Sequence, residues 1–337
     1  MRFLIILLLL SQSVAAEEPL TRILFGSCIK QENPIPILET VLSRKPELFL
    51  FLGDNVYADT DDMNEMRKKY AKLGNVPAFQ KLREVSQIMA VWDDHDYGRN
   101  DAGAEYPMRA EAQEVFREFW DRPDNPDREG VYDSKIFGPV GKRVQVILLD
   151  TRYFRGPLKT GERRTGGKYY PTEDASISML GEKQWLWLEK ELRKPAEIRL
   201  IGSGIQIVPE AAGQETWSNL PNERQRLFDL IAETKAEGVI LLSGDRHWSE
   251  FSRVTENAPY PLYDFTSSSL NQIHPRGTPT ENRFRVSETT YHKENFGEIE
   301  IDWAGEETSL TVSIRDLVGK VKIAERVLLT ELRSPGE

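Results

Sequence analysis

Four short segments concentrate the side chains that can bind a cation or move a proton. They are Gly26-Ser27-Cys28, Gly53-Asp54-Asn55-Val56-Tyr57, Trp92-Asp93-Asp94-His95-Asp96 and Gly244-Asp245-Arg246-His247. Each closes an apolar run that reads as a β-strand, and α/β sheets build their sites at the carboxyl ends of strands. One glycine-aspartate pair after a strand is no more than a turn; four strand ends carrying the same kind of residue ask for a shared cause. Asp54 has two carboxylate oxygens and can bridge two cations, while Gly53 permits close backbone approach and a sharp exit from the strand. Asp245 and His247 stand two apart, so one loop can turn an oxygen and a nitrogen toward the same place. Cys28 offers a thiolate and Tyr57 a phenolate. With Asp54, these anionic donors suit trivalent iron, whereas carboxylate and amide oxygens suit calcium, magnesium or manganese. The acidic run Asp93 to Asp96 repels itself unless cations or donors neutralise it. A mixed dinuclear metal centre is the expectation.

Plainer readings stand beside it. Cys28 is also a small buried hydrophobe by type, Tyr57 a core ring with a satisfied hydroxyl, and His95 a loop residue. His274 and His292 fall in polar, loop-like stretches and read as surface residues. Other catalytic systems are missing: Ser203 in IGSGI has Ile201 where a nucleophile elbow needs glycine, and there is no Walker loop, dinucleotide fingerprint or HExxH helix. A Cys28 nucleophile with His95 or His247 as its base is a second enzymatic reading.

The elements that must position these residues alternate through the first two thirds of the chain. Strands are expected at Arg22–Gly26, Leu48–Gly53, Ile88–Trp92, Arg143–Asp150, Ile198–Gly202 and Val239–Ser243, with helices near Ile35–Ser43, Met63–Lys72, Met108–Trp120, Leu180–Lys194 and Asn222–Lys235. Runs such as LFLFLG and VQVILLD are apolar throughout, as in strands covered on both faces. Past Arg253, alternating segments such as EIEIDW and SLTVSIRD read as antiparallel strands. The fold class is therefore α/β with antiparallel C-terminal strands. The loops Asp121–Gly130, Gly156–Tyr170 and Pro209–Leu220 are expected to rim the pocket, with Tyr170 and Trp217 as wall residues. No repeat or interdomain linker is visible, so one catalytic domain over 17–337 is the simplest organisation.

The chain has 337 residues, 39% hydrophobic and 29% charged, which is enough for a full core. With 44 Lys+Arg against 54 Asp+Glu, its net charge of −10 argues against nucleic-acid or anionic-membrane partners, and an anionic substrate needs local cations. Met1-Arg2, the apolar run Phe3–Leu10 and Val14-Ala15-Ala16 read as a signal peptide cleaved after Ala16, predicting export to a periplasm or beyond. No later stretch is long and apolar enough to span a membrane. The one cysteine excludes disulfide frameworks and cysteine-rich zinc sites.

In order, the motifs GSC, GDxxY, WDDHD, LDTR and GDxH resemble the PhoD-like, or alkaline phosphatase D, branch of the calcineurin-like metallophosphatases, from about Ile23 to Asp245 and beyond. The resemblance implies a four-layer αββα sandwich of two mixed sheets flanked by helices, and an exported hydrolase of phosphomonoesters or phosphodiesters. It implies that Cys28, Asp54, Tyr57 and His247 hold Fe3+, and that Asp54 bridges to Ca2+ held also by Asp245 and Asn100, with Asp94 as the alternative to Asn100; Mg2+, Mn2+ or Zn2+ are alternatives in the second site. His95 falls where the superfamily places a catalytic histidine. Arg152 of Asp150-Thr151-Arg152 is expected as a second catalytic residue that helps the metals offset the substrate's charge, either touching phosphate or bracing Asp150. The implied reaction is in-line attack on phosphorus by a hydroxide held between the cations. Hydrolysis of lipid head groups in the manner of a phospholipase D, or of wall polymers, is the alternative reaction. A metal-binding scaffold without activity is the alternative from another class.

Overall fold

The structure, a computed structural model, describes residues 18–122, 128–164, 166–211, 213–274 and 281–334. The expected signal peptide and residues 123–127 of the Asp121–Gly130 loop lie outside them. In chain order the elements are β1 (Arg22–Gly26), α1 (Ile37–Ser43), β2 (Leu48–Leu52), α2 (Met63–Gly74), α3 (Pro77–Val85), β3 (Gln87–Val91), α4 (Asp94–Tyr97), α5 (Arg109–Phe119), β4 (Asp133–Phe137), β5 (Val144–Leu149), β6 (Thr160–Arg164), β7 (Gly167–Tyr169), α6 (Gly181–Leu192), β8 (Ile198–Ser203), α7 (Pro221–Glu233), β9 (Val239–Ser243), β10 (Glu250–Val254), β11 (Leu262–Thr266), β12 (Asn295–Asp302), β13 (Ser309–Asp316) and β14 (Val321–Leu328).

The strands form two mixed six-stranded sheets. In the first, β1, β2 and β3 run parallel and β12, β13 and β14 add antiparallel, in the order β14-β13-β12-β1-β2-β3. In the second, β5, β8, β9 and β11 run parallel between antiparallel edges, in the order β10-β11-β9-β8-β5-β4. Two mixed sheets with flanking helices are the class expected from the sequence. The uniformly apolar runs of β2 and β9 are buried at every position, whereas the edge strand β14 buries only some of its residues. The sheets meet across a glycine: a Cβ on Gly202 of β8 would come to 2.6 Å from Leu148 and 2.8 Å from Leu52, the last residue of β2.

Three expectations change. The Gly156–Tyr170 loop contains the hairpin β6–β7. Trp217 is core rather than pocket wall: it is fully buried, edge-on to Trp185, and its indole N–H donates to Ser203 Oγ at 3.1 Å. His274 and His292 are half-buried rather than on the surface, since their rings pack at 6.5 and 5.9 Å from the buried Trp248 ring. Helix α3, not foreseen, starts on a proline in its first turn and buries Ala78, Phe79 and Leu82.

Candidate metal centre

The exits of β1, β2, β3 and β9 converge. Cys28, Asp54, Asp245 and His247 all take left-handed backbone conformations, with φ of 62°, 51°, 65° and 59°. For a residue with a Cβ this costs about 1–2 kcal/mol each and persists where the surroundings over-determine it. Here it turns each strand end sharply and throws the side chain back over the sheet edge. The glycines before two of them answer a crowding requirement: a Cβ on Gly53 would come to 2.8 Å from the Asp93 amide, and one on Gly244 to 2.6 Å from Ser27 Oγ and 2.8 Å from the Leu52 carbonyl.

The turned side chains form overlapping donor groups, each with its ligand atoms within 4.8 Å of one another: Cys28, Asp54 and His247; Asp54, Asp94 and His95; Asp93, Asp94 and Asp245; and Asp94, Asp101 and Glu215. Asp54 is shared by the first two and Asp94 by the last three. Tyr57 joins the first group, its hydroxyl donating to Asp54 Oδ2 at 3.1 Å and lying 2.8 Å from His247 Nε2. Cys28 Sγ is 3.5 Å from Asp54 Oδ2 and 3.1 Å from Ser268 Oγ, which also accepts the His247 amide at 2.7 Å.

The electrostatics call for cations. Burial pushes the Cys28 thiol up to about 11, and burial with the neighbouring Asp54 holds the Tyr57 phenol well above its usual range. Burial and then the charges of Cys28 and Asp94 raise Asp54 well above the ordinary carboxyl range, and burial lifts Asp245 to about 7. Burial lowers His247 to about 4, leaving a neutral imidazole able to coordinate. Asp245 Oδ2 is buried at 3.1 Å from Arg246 without a hydrogen bond. Cys28, Tyr57, Asp54 and Asp245, which burial and neighbouring negative charge hold toward their protonated forms, would give up those protons to a cation, which is the behaviour of a metal site. This donor set therefore fits two cations, one beside a sulfur, a phenol and an imidazole, the other among carboxylates.

A second layer holds the first. Asp96 accepts five hydrogen bonds: Oδ1 from the Asp93 and Asp54 amides at 2.7 and 3.1 Å, and Oδ2 from the Asn55 amide, the Asn55 side chain and the Tyr70 hydroxyl at 3.2, 2.6 and 3.2 Å. Arg152 is completely buried, with its guanidinium at 2.6 Å from Asp93 Oδ1 and 2.8 Å from Glu215 Oε2, and Arg155 lies 2.9 Å from Glu215 Oε1. The Asp150 carboxylate accepts the Arg152 amide at 2.9 Å and the Tyr153 amide at 3.0 Å. Asp150 thus fixes the backbone that carries Arg152, and Arg152 reaches the centre through Asp93.

Of the residues singled out from sequence, Cys28, Asp54, Tyr57, Asp94, His95, Asp245 and His247 come together. Asn100 is exposed and lines a cavity of about 430 Å³ with Asp101, Glu215 and Arg246. His95 packs against Tyr57 with ring centroids 4.2 Å apart, and its Nδ1 is 2.6 Å from Asp59 Oδ1. Sequence reasoning missed Asp59, Asp96, Asp101, Glu215 and Ser268. Only Asp96 carried a signal, as the last acid of an already implicated run.

Residues 23–312 match the model of the PhoD-like phosphatase family. Alkaline phosphatase D of Bacillus subtilis (strain 168) is 20% identical over 282 residues, 69% of this chain and 47% of that protein, so the chain spans about half the length of this curated relative. A solved structure of PhoD superposes with a TM-score of 0.69 at 16% identity, over 95% of this chain and 72% of the other. A dimetal phosphatase from Danio rerio superposes at 0.53 and 13% identity, over 93% and 100%. At these identities the structural likeness is one of fold.

Proposed function

Because the chain belongs to the PhoD-like phosphatase family, we propose that it is an exported metal-dependent hydrolase of phosphoric esters, with Fe3+ held by Cys28, Asp54, Tyr57 and His247 and Ca2+ by Asp54, Asp94 and Asp245. The observation that carries this reading is the sharing of Asp54 between a sulfur- and imidazole-containing donor group and a carboxylate group. Asp94 takes the place in the second site that Asn100 would otherwise hold, since Asp94 is buried among the donors and Asn100 is exposed at the rim. Two cations held by these residues would supply Lewis acidity, offsetting the charge of the phosphoryl oxygens and making a water more acidic.

The protein's own groups do the rest. Burial works against a charge on His95, but without cations Asp54, then Asp59 and Asp94, raise it to about 11; Asp59, which is outside the proposed ligand set, keeps its contact with Nδ1 when the ions are bound, so the ring is the proposed proton donor to a leaving alkoxide or a phosphoryl oxygen. Asp59 fixes the ring through Nδ1. Arg152 acts as a positioning residue, holding Asp93 against the second site while neutralising Glu215. The experiment is elemental analysis of the full chain purified from an exporting host, with a visible spectrum and turnover of p-nitrophenyl phosphate and bis-p-nitrophenyl phosphate. Asp54→Asn loses metal and turnover together, and His95→Ala keeps metal and loses turnover. A metal-free, folded and active protein overturns the reading in favour of Cys28 as nucleophile.

A further inference from the structure

A fifth strand end reaches the centre. Ser267, Ser268 and Ser269, which follow β11, are completely buried, and there the chain crosses from the second sheet to the first. The Ser269 and Leu270 amides donate to the Ser27 carbonyl at 3.4 and 2.9 Å, and the Asn271 and Gln272 amides to the Cys28 carbonyl at 3.3 and 3.2 Å. Asn295, at the start of β12, holds the crossing from its other side. Its side-chain amide donates to the Ser268 carbonyl at 2.9 Å, and its side-chain oxygen accepts the Ser249 and Ser267 hydroxyls at 2.7 and 3.1 Å. Ser269 takes φ 108°, a strained value for a residue with a side chain, and these contacts over-determine it.

This frame delivers one hydroxyl between two proposed ligands of the first cation. Ser268 Oγ accepts the His247 amide at 2.7 Å and lies 3.1 Å from Cys28 Sγ, closer than Ser27 Oγ at 3.4 Å or Asp54 Oδ2 at 3.5 Å. With the amide already donating to it, the hydroxyl keeps one proton to give. Among the described residues, Sγ is the one acceptor within its reach. Ser27 differs, because its hydroxyl has the Ser267 carbonyl at 3.3 Å as a second acceptor. Burial raises the Cys28 thiol, and the contact with Ser268 is the first of those that pull it back. A sulfur that has released its proton to a cation can only accept, so the Ser268 O–H then points at the thiolate. Such a hydrogen bond draws charge from sulfur and weakens its donation to the bound cation, and in thiolate metal sites it tunes the reduction potential.

We propose that Ser268 is a positioning residue that donates to the Cys28 thiolate and sets how strongly the sulfur donates to the cation held there. The inference rests on the ligand set proposed above. Its test uses the full chain stripped with chelator and reloaded with Co2+, whose thiolate charge-transfer band reports sulfur ligation without turnover. In Ser268→Ala the band moves to longer wavelength, and Ser268→Thr, which keeps the hydroxyl, returns it toward the native position. In the iron-loaded protein, poised at the native midpoint, Ser268→Ala lowers the ferrous-to-ferric ratio about tenfold, equivalent to about 59 mV for one electron. Loosened packing alone would weaken metal binding and leave the band in place. A band at the native position in Ser268→Ala overturns the inference and leaves the ligand set standing, whereas a native protein with no thiolate band overturns both. Resonance Raman spectra of the native protein, reloaded in H2O and in D2O, decide the matter without a variant: a shifted metal–sulfur stretch sustains the hydrogen bond, and an unshifted one overturns it.

Discussion

Asp96→Asn is the sharpest test of how the metal centre is organised, because the side chain is nearly isosteric and touches none of the proposed ligands except through their backbones. All five partners of Asp96 are donors, two on Oδ1 and three on Oδ2. An amide must place an NH2 against one of these sets, and the smaller loss is on the Oδ1 side. The Asp93 and Asp54 amides then face a donor in a fully buried site. Burial raises Asp96 to about 7, so above that pH the acceptor is charged; hydrogen bonds to a charged acceptor contribute about 1.5–3 kcal/mol each, and the expected destabilisation there is about 3–6 kcal/mol. For a chain of this size that is a fall in Tm of about 5–10 °C, read by thermal scanning of the metal-loaded protein. The freed amide is that of Asp54, whose carboxylate is the proposed shared ligand, so metal content at fixed free metal should fall as well. Asp96→Asn with unchanged Tm and unchanged metal content would refute the claim that this carboxylate organises the exits of β2 and β3.

Treated with chelator, the protein should lose stability as pH rises from 6.5 to 9. His95, raised to about 11, is charged in the folded state throughout this window while its unfolded counterpart gives up its proton; a raised pKa contributes stability below the unfolded value that drains away toward the folded one, here about 2–3 kcal/mol. The raised Asp245, at about 7, works in the same direction; the lowered His247, at about 4, opposes them weakly over the first unit, until its unfolded counterpart has lost its proton. A chelated Tm that is flat or rising across this range contradicts the assignment. Arg152→Met leaves Asp93 and Glu215 without their shared cation and should cost about 3–5 kcal/mol, with Arg152→Lys recovering little because one ammonium cannot reproduce the forked contacts; paired melting curves decide it. Gly202→Ala should lower stability by about 1–3 kcal/mol through overpacking between the two sheets, with metal content retained by elemental analysis.

The sequence made the central elements legible for one physical reason: strands covered on both faces must be apolar throughout. The ends of β1 and β9 coincide with the expectation, and those of β2, β3, β5 and β8 fall within about one residue of it. Ligand candidates were legible because they follow such strands. What was hidden depends on contacts far apart in the chain. Glu215 lies in a loop of no special composition, and its role exists only because Arg152 and Arg155, some sixty residues earlier, fold against it. Trp217 looked like a wall residue because loops rim pockets, yet the indole is drawn into the core by Trp185 and Ser203. The hairpin β6–β7 escaped notice because its strands, TGERR and GKY, have no apolar face and owe their order to docking on Gly213.

Two features of the centre bear on what it binds. Four left-handed residues are held against their intrinsic preference; Cys28, Asp54 and His247 bring their donor atoms into one group, and Asp245 joins the adjoining group of Asp93 and Asp94. Aiming them makes the electrostatics worse, since burial and mutual repulsion lift Asp54 and Asp245 far from their ordinary range. A fold stabilised by its own contacts alone would relax one problem by relieving the other, turning Asp54 or Asp245 outward into solvent. Instead Asp96 pins the Asp54 backbone and Arg152 pins Asp93, so the second layer opposes relaxation. Without cations the repulsion is relieved by protonation of the acids, and cations at the centre relieve it with the carboxylates ionised, so metal loading should raise stability and activity in parallel, and variants of the second layer should weaken both.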